Sequence, residues 1–293
     1  MALRNITDKI SVSIDDRKYA ICIFSDLSKA FDTINHDILL HKLEVYGIRC
    51  VALAWLASYL SNRTQCVSID DCISESKFIS CEVPQGSILG PLLFLFYINN
   101  IVRSSDLLKF IMLADDTNLF MSNIDSKTLI SNVNDELSKV SRWLKVNKLC
   151  LNVTKTNFII FHSRQRYITS GIHLHIDGIL IEKIVATKFL GVILNENLIW
   201  TDHVKVVLNK TSNNFGICRK LSFILPSVVV KTLYNSQIKP YIEYCNIAQA
   251  VHGTVQIDVL YRIQKKCMRM HTNSHRKAQT VIGRLVRPHC SNR

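Results

Sequence analysis

The sequence lacks the features of a secreted or membrane-inserted protein. The longest apolar run, Ile88 to Ile98, contains Gly90 and Pro91 and is too short to span a bilayer. The first five residues hold no apolar signal-peptide core. Internal repeats and low-complexity segments are also missing. These absences favour a soluble, intracellular chain with no membrane partner, which we expect in the nucleus and the cytoplasm.

Paired cysteines are absent as well. The ten cysteines are scattered without a Cys-x-x-Cys pair, and 48% of the 293 residues are hydrophobic, which is ample material for a core. We expect the cysteines to pack as small, reduced, apolar side chains rather than to form a disulfide framework. The C-terminal Cys and His residues lack the paired spacing of ordinary zinc sites: Cys267, His271, His275, His289 and Cys290.

Acidic residues are scarce, and from Val259 to the end there are none. The whole chain has 36 Lys and Arg against 23 Asp and Glu, a net charge of +13. This excess favours a polyanionic partner, and nucleic acid is the first candidate. The C-terminal basic run has two interpretations of equal weight, a solvated tail or a phosphate-contacting surface. Its basic residues are Arg262, Lys265, Lys266, Arg269, Arg276, Lys277, Arg284, Arg287 and Arg293.

The order of the predicted elements divides the chain near residue 195. Residues 1–195 mix helices and strands, whereas residues 196–293 are helical with a basic tail. Residues 1–15 resemble part of a helix that has no capping residue or turn before it. A domain seldom begins this way, so we expect that the sequence begins inside a longer domain. The patterns predict strands over 19–25, 63–69, 77–81, 157–161 and 188–194, a hairpin over 174–181, and helices over 36–46, 51–60, 89–102, 126–149, 200–223 and 228–247.

Two strand ends carry acidic residues. Asp115 and Asp116 stand between two apolar runs, 107–113 and 117–121, as at the tip of a β-hairpin. The apolar strand 19–25, nearly apolar on both faces and so predicted to be central in its sheet, is followed by Asp26. Acids that converge at buried strand ends need a compensating positive charge, and a pair of Mg²⁺ ions about 3.5–4 Å apart supplies it. Asp32 is a third acid or, in our preferred interpretation, a helix N-cap or packing residue.

Five runs in sequence then carry a resemblance to a known family. They are Phe24–His36 (FSDLSKAFDTINH), Val83–Phe94 (VPQGSILGPLLF), Ala114–Thr117 (ADDT), Asn152–Thr156 (NVTKT) and Lys188–Val192 (KFLGV). Together they resemble the successive palm motifs of reverse transcriptases of non-LTR retrotransposons, of the jockey and CR1 type of LINE elements. Helical segments at 200–203 and 233–245 resemble that family's thumb. The resemblance implies an α+β polymerase palm, with an antiparallel sheet, packed helices and partial fingers, followed by an α-helical thumb.

The resemblance implies a catalytic role for four residues. Asp26 and Asp115 would bind two Mg²⁺ ions, for which Mn²⁺ is a possible substitute, and Asp116 would be a weaker or outer ligand. Lys155 would serve as general acid for the leaving pyrophosphate or as a charge stabiliser; an ordinary surface lysine is an equally good interpretation. The substrates implied are an RNA template, a DNA primer and a dNTP.

Further residues are implied in substrate binding. Phe31 would lie under the sugar and exclude a 2′-hydroxyl, with a core aromatic as the alternative role. Gln85 and Gly86 would lie along the nascent base pair and template, and Leu27 would be a further substrate-binding residue. The primer grip would consist of Phe189, Leu190 and Gly191, although a buried strand with a glycine bulge explains these three equally well.

The match departs from the family in its fingers region. Few basic residues precede Asp26, and the remnant fingers are expected over about 36–82. A truncated copy of an element's polymerase is therefore expected, and a catalytically impaired nucleic-acid-binding remnant is the alternative. Another two-metal phosphoryl transferase, such as a nuclease, is less favoured because the Pro84-Gln85-Gly86 turn and the primer grip serve a nascent base pair.

Overall fold

The chain forms two compact units, residues 1–185 and 186–293. The computed structural model describes residues 2–84, 86–113, 116–166, 171–221, 224–225, 227–244, 261–262 and 264–266. The division falls before the segment 188–194, whereas the sequence placed the boundary after it.

The first unit contains five helices, one 3₁₀ helix and twelve strands among its described residues. The helices are α1 (Ala2–Asp15), α2 (His36–Val45), α3 (Cys50–Leu60), α4 (Leu89–Ile98) and α5 (Ser126–Val146), with the 3₁₀ helix at Asn99–Ser104. The longer strands are β1 (Tyr19–Ser25), β7 (Lys109–Leu113), β8 (Asp116–Asn123), β10 (Asn157–Phe161), β11 (Leu174–Ile176) and β12 (Ile179–Lys183). The two-residue strands are β2 (Leu27–Ser28), β3 (Thr64–Gln65), β4 (Ser68–Ile69), β5 (Cys72–Ile73), β6 (Lys77–Phe78) and β9 (Cys150–Leu151).

Strand β1 lies inside the main sheet because its residues are apolar on both faces. The strand order is β11-β12-β10-β1-β8-β7. All neighbours are antiparallel except β10 and β12, which run parallel. Ile21 and Ile23 of β1 are almost fully buried. The predictions of a central strand over 19–25 and of a mainly antiparallel sheet are therefore confirmed.

Helix α5 packs its apolar stripe against this sheet. Asp125 caps its first turn by accepting a hydrogen bond from the Thr128 amide at 2.8 Å. The helix ends at Val146, before the predicted end at Leu149. The stripe predicted from sequence is buried and joins the core: Leu129, Val133, Leu137, Val140 and Leu144.

Three sequence predictions in the first unit need correction. Asn35, not Asp32, caps α2, because the Asn35 side chain accepts a hydrogen bond from the Ile38 amide at 3.1 Å. The strand pair predicted over 63–69 and 77–81 is two shorter pairs, β3 with β6 and β4 with β5, which leave most side chains exposed. The helix predicted to reach Val102 changes to 3₁₀ geometry after Ile98.

The second unit contains one hairpin and, up to residue 244, three helices among its described residues; residues 261–262 and 264–266 are also helical. The hairpin and the three helices are β13 (Ala186–Phe189), β14 (Val192–Asn195), α6 (Thr201–Leu221), α7 (Ser227–Gln237) and α8 (Lys239–Glu243). The single strand predicted over 188–194 is wrong: Leu190 and Gly191 turn the chain, and β13 pairs with β14. The interruption predicted at Pro240 is confirmed, since Pro240 lies in the first turn of α8.

Cysteine burial was only partly predicted. In the described ranges all cysteines are free thiols, but only Cys22 and Cys218 are buried. Five others are exposed: Cys50, Cys66, Cys72, Cys81 and Cys150. The C-terminal Cys and His residues lie outside the described residues. Of the helices in the described ranges, none is long and apolar enough to cross a membrane.

Candidate active site

The register of the main sheet places two of the predicted acids at neighbouring strand ends. Ser25, the last residue of β1, pairs with Thr117 of β8. One position further along, Asp26 follows β1 and Asp116 begins β8. The Asp26 side chain is 40% exposed, and Asp116 is also exposed. Asp115 lies outside the described residues.

Hydrogen bonds fix this register close to the two acids. The Ser25 hydroxyl donates to the backbone carbonyl of Thr117. The Asn118 side-chain amide donates to the carbonyl of Ile111 at 3.2 Å and ties β8 to β7. Leu113 pairs with Asp116 in the last described step of that hairpin. The strand ends that carry the acids are therefore held to one another by both main-chain and side-chain contacts.

The loop between β9 and β10 closes on Asp26. Strands β2 and β9 pair Leu27 with Leu151, which brings Asn152 beside Asp26. The Asn152 amide donates to the Asp26 carbonyl at 2.8 Å, and its side-chain amide lies 3.4 Å from the Asp26 carboxylate. Lys155 Nζ lies 3.6 Å from the same carboxylate oxygen. The structure thus brings Lys155 next to Asp26.

Asn152 is a site residue that the sequence analysis did not single out. Thr154 donates to its side-chain oxygen at 2.7 Å, and Thr156 donates to its backbone carbonyl at 2.9 Å. These bonds shape the loop that carries Lys155. The Lys155 side chain is 71% exposed, so its ion pair with Asp26 contributes at most about 1 kcal/mol to stability. The pair therefore matters more for the charge at the site than for the fold.

Phe31 and Leu27 differ in what they can offer a substrate. Phe31 is half-buried, and its ring centroid lies 4.9 Å from that of Phe94 at a tilt of 39°. The Val83 amide also donates to the Phe31 carbonyl at 3.1 Å. Leu27 is 6% exposed and belongs to the core, so only its backbone is available for contact. The core packing expected of Phe31 and its predicted contact with the sugar are compatible.

The turn before α4 is built around a close backbone contact. Ser87 Oγ donates to the Pro84 carbonyl at 2.7 Å and accepts from the Gly90 amide at 2.9 Å. A Cβ on Gly90 would meet the Pro84 carbonyl oxygen at 2.7 Å, so this position requires glycine. Gly86 is exposed with a φ of +80°, while Gln85 lies outside the described residues. The role of Gly90 was not predicted from the sequence, although its place in a helical run next to Pro91 was a signal.

The predicted primer grip lies in the second unit. Phe189 is 4% exposed, so its side chain packs inward, as in the alternative interpretation as a buried strand. Leu190 and Gly191 form the turn of the hairpin, and Gly191 is exposed. The part of this segment that can meet a primer is therefore the turn.

The acids at the strand ends suit a divalent cation. Carboxylate oxygens are hard ligands, and Asp26 and Asp116 present them at the surface of the first unit. In the ranges that the structure describes, no three Asp, Glu, His or Cys side chains form a group that could hold a metal ion. A third acid would have to come from Asp115, next to Asp116 in the chain.

The similarities to known proteins agree with these observations. The chain is 27% identical over 222 residues to the "Probable RNA-directed DNA polymerase from transposon BS" of Drosophila melanogaster, which covers 71% of this chain and 24% of that protein. It is 28% identical over 200 residues to the "RNA-directed DNA polymerase from mobile element jockey" of the same species, covering 66% of this chain and 21% of the relative. The chain thus spans about a quarter of the length of these curated relatives.

A solved structure has the same fold. Telomerase from Candida tropicalis, in a complex with a fragment of telomeric RNA, aligns with a TM-score of 0.50 and 13% sequence identity, over 97% of this chain and 53% of that one. This likeness shows a reverse transcriptase fold. The family described as reverse transcriptase (RNA-dependent DNA polymerase) matches residues 1–194. The chain therefore belongs to the reverse transcriptase family, and within it to the non-LTR retrotransposon type that the sequence motifs predicted.

Proposed function

We propose that this chain is the palm and thumb of an RNA-directed DNA polymerase that adds dNTPs to a primer 3′-hydroxyl along an RNA template. The palm with remnant fingers comprises residues 1–195, with the fingers over about 36–82, and the thumb and basic tail comprise 196–293. The observation that supports this most is the register of β1 and β8, which brings Asp26 and Asp116 to neighbouring strand ends.

In this proposal three acids hold the catalytic cations. Asp26, Asp115 and Asp116 would hold two Mg²⁺ ions, or Mn²⁺ in their place, because their oxygens match the ligand preference of these metals. When bound, the ions supply charge neutralisation for the triphosphate and a lowered pKa for the primer hydroxyl. The exposure of Asp26 and Asp116 leaves both carboxylates accessible.

The other site residues act directly on the substrates. Lys155, next to Asp26, can deliver a proton to the leaving pyrophosphate or offset its charge. Phe31 would exclude a 2′-hydroxyl and so select dNTP, while the backbone of Leu27 and the Gln85–Gly86 turn would contact the nascent pair. The Leu190–Gly191 turn would meet the primer.

The test is incorporation of dTMP on an oligo(dT)-primed poly(rA) template with Mg²⁺ or Mn²⁺. Loss of a metal ligand removes several kcal/mol of transition-state stabilisation, so Asp115→Ala and Asp26→Asn should each lower incorporation on the order of 10³-fold. Asp37→Ala is the matched control, because Asp37 is an exposed acid in the first turn of α2.

Two outcomes would contradict the proposal. Equal incorporation by wild type and Asp115→Ala would remove Asp115 from the chemistry. Salt-sensitive binding of primer–template by the wild type, without incorporation in either metal, would favour the nucleic-acid-binding alternative over a polymerase.

A further inference from the structure

The turn of the β13–β14 hairpin has an unusual backbone. Leu190 has a φ of +46° and Gly191 a φ of +81°, so both lie in the left-handed region. Two consecutive residues in this region form the tight turn that matches the twist of paired strands. Glycine adopts this conformation freely, whereas leucine does so at a cost, so contacts from outside the turn must help to hold it.

One such contact comes from Tyr244, directly after α8. Its hydroxyl donates to the carbonyl of Leu190 at 2.6 Å. Its ring edge lies 3.6 Å from the position that a Cβ on Gly191 would occupy, which is ordinary van der Waals contact. Tyr244 therefore bonds to Leu190, and its ring lies beside Gly191.

Tyr244 is itself held in place by the helical core of the second unit. Its amide donates to the Pro240 carbonyl at 2.9 Å, which fixes its backbone at the end of α8. Ile238 and Ile242, on either side of Pro240, are buried in a cluster with Cys218 of α6 and Tyr234 of α7. Movement of the Tyr244 backbone would disturb this packing.

Strand β14 of the hairpin is attached separately. The Ile193 amide lies 3.4 Å from Nδ1 of His203 in α6. Hydrogen bonds therefore attach the hairpin to α6 through β14 and to the residue after α8 through the turn. The bond from Tyr244 is made to the turn itself.

We propose that Tyr244 is a positioning residue for the primer: it holds the Leu190–Gly191 turn in the orientation that contacts the primer strand. This inference rests on the proposed function, in which that turn meets the primer. Tyr244 acts through the turn and touches no reacting atom.

The test is primer extension by Tyr244→Phe, which removes the hydroxyl and keeps the ring. We expect the KM for primer–template to rise about five-fold, with kcat and the KM for dNTP changed less than two-fold. Tyr241→Phe is the matched control, because it removes the hydroxyl of a nearby tyrosine in α8 and keeps the ring, which lies 5.2 Å from the Lys210 ammonium. The control should leave all three constants unchanged. An unchanged KM for primer–template in Tyr244→Phe would overturn the inference.

Amide hydrogen exchange separates failure of this inference from failure of the proposed function. Tyr244→Phe should speed exchange across residues 186–195 while the α6 amides keep their wild-type rates. If the wild type incorporates no nucleotide, the proposed function fails. Faster exchange together with weaker primer–template binding in Tyr244→Phe would still support the role of Tyr244 in positioning the turn. Wild-type exchange in Tyr244→Phe would overturn it, whether or not the chain polymerises.

Discussion

The buried His203 gives the second unit a dependence on pH. His203 is 4% exposed, and burial lowers the pKa of its imidazole below the ordinary value. Its Nδ1 faces the Ile193 amide, an arrangement that suits a neutral ring in which Nδ1 accepts. The folded chain therefore favours the neutral imidazole, while the unfolded chain binds a proton near pH 6.5.

Mild acid should therefore destabilise the second unit. Well above pH 6.5 the His203 ring is neutral in both the folded and the unfolded chain, so its titration costs no stability there. As the pH falls, the unfolded chain binds a proton that the folded chain excludes, and the unfolded chain is thereby favoured. The free energy of unfolding should fall between pH 7 and pH 5. Thermal melts across that range should show a smaller decrease in His203→Gln, which does not titrate. Parallel curves for the two proteins would exclude His203 as the cause.

At the scale of single residues, the sequence showed which side chains could be functional but not which residues they contact. Asp26 was predictable because a carboxylate at the end of a buried strand is costly unless a positive charge lies nearby. Asn152 was not, because its bond to Asp26 spans 126 positions in the chain and leaves no local pattern. A capping or packing role was preferred for Asp32, whereas Asn35 caps α2; both residue types cap helices, and only the position of the helix start decides between them.

At the scale of elements, two helical glycines make a matched pair. Gly90 in α4 leaves no room for a Cβ, which would meet the Pro84 carbonyl oxygen at 2.7 Å. Among the residues that the structure describes, none lies within 4 Å of a Cβ built on Gly216 in α6. The same substitution should therefore have opposite effects at the two positions.

Gly90→Ala should destabilise the chain by about 1–3 kcal/mol, because backbone must move to admit the methyl group. Gly216→Ala should stabilise it by about 0.5–1 kcal/mol, since alanine loses less backbone freedom in a helix. Urea unfolding followed by circular dichroism measures both changes. A neutral Gly90→Ala would mean that the Pro84–Ser87 turn yields easily.

Elements with a strong apolar period were predicted, and short ones were not. Helix α5 and strand β1 bury the residues that their patterns indicated. The hairpin at Leu190–Gly191 was predicted as one strand, because leucine in a left-handed conformation gives no turn signal. The strands between Thr64 and Phe78 are two residues long, and pairs so short are set by the neighbouring chain rather than by side-chain alternation.

At the scale of the molecule, the net charge of +13 is the property most relevant to a polynucleotide partner. When a basic protein binds a duplex, it releases counterions from the phosphates. The logarithm of the binding constant therefore falls linearly with the logarithm of the salt concentration, and each phosphate contact adds about 0.9 to the steepness of this slope. The acid-free run from Val259 holds nine of the basic residues, from Arg262 to Arg293. The slope of this dependence can show whether the run contacts phosphates or is only solvated.

Neutralising two residues of the run in the full-length chain should make the salt dependence shallower. Arg284→Gln with Arg287→Gln should reduce the slope for primer–template binding by up to about 2, at about 0.9 for each lost contact. Lys127→Gln with Lys183→Gln is the control: it removes the same charge from exposed positions of α5 and β12 and should leave the slope unchanged. Fluorescence anisotropy at several salt concentrations measures both slopes. If Arg284→Gln with Arg287→Gln has the wild-type slope, these residues of the basic run are solvated. If both double variants reduce the slope equally, the net charge governs binding and the location of the charge does not.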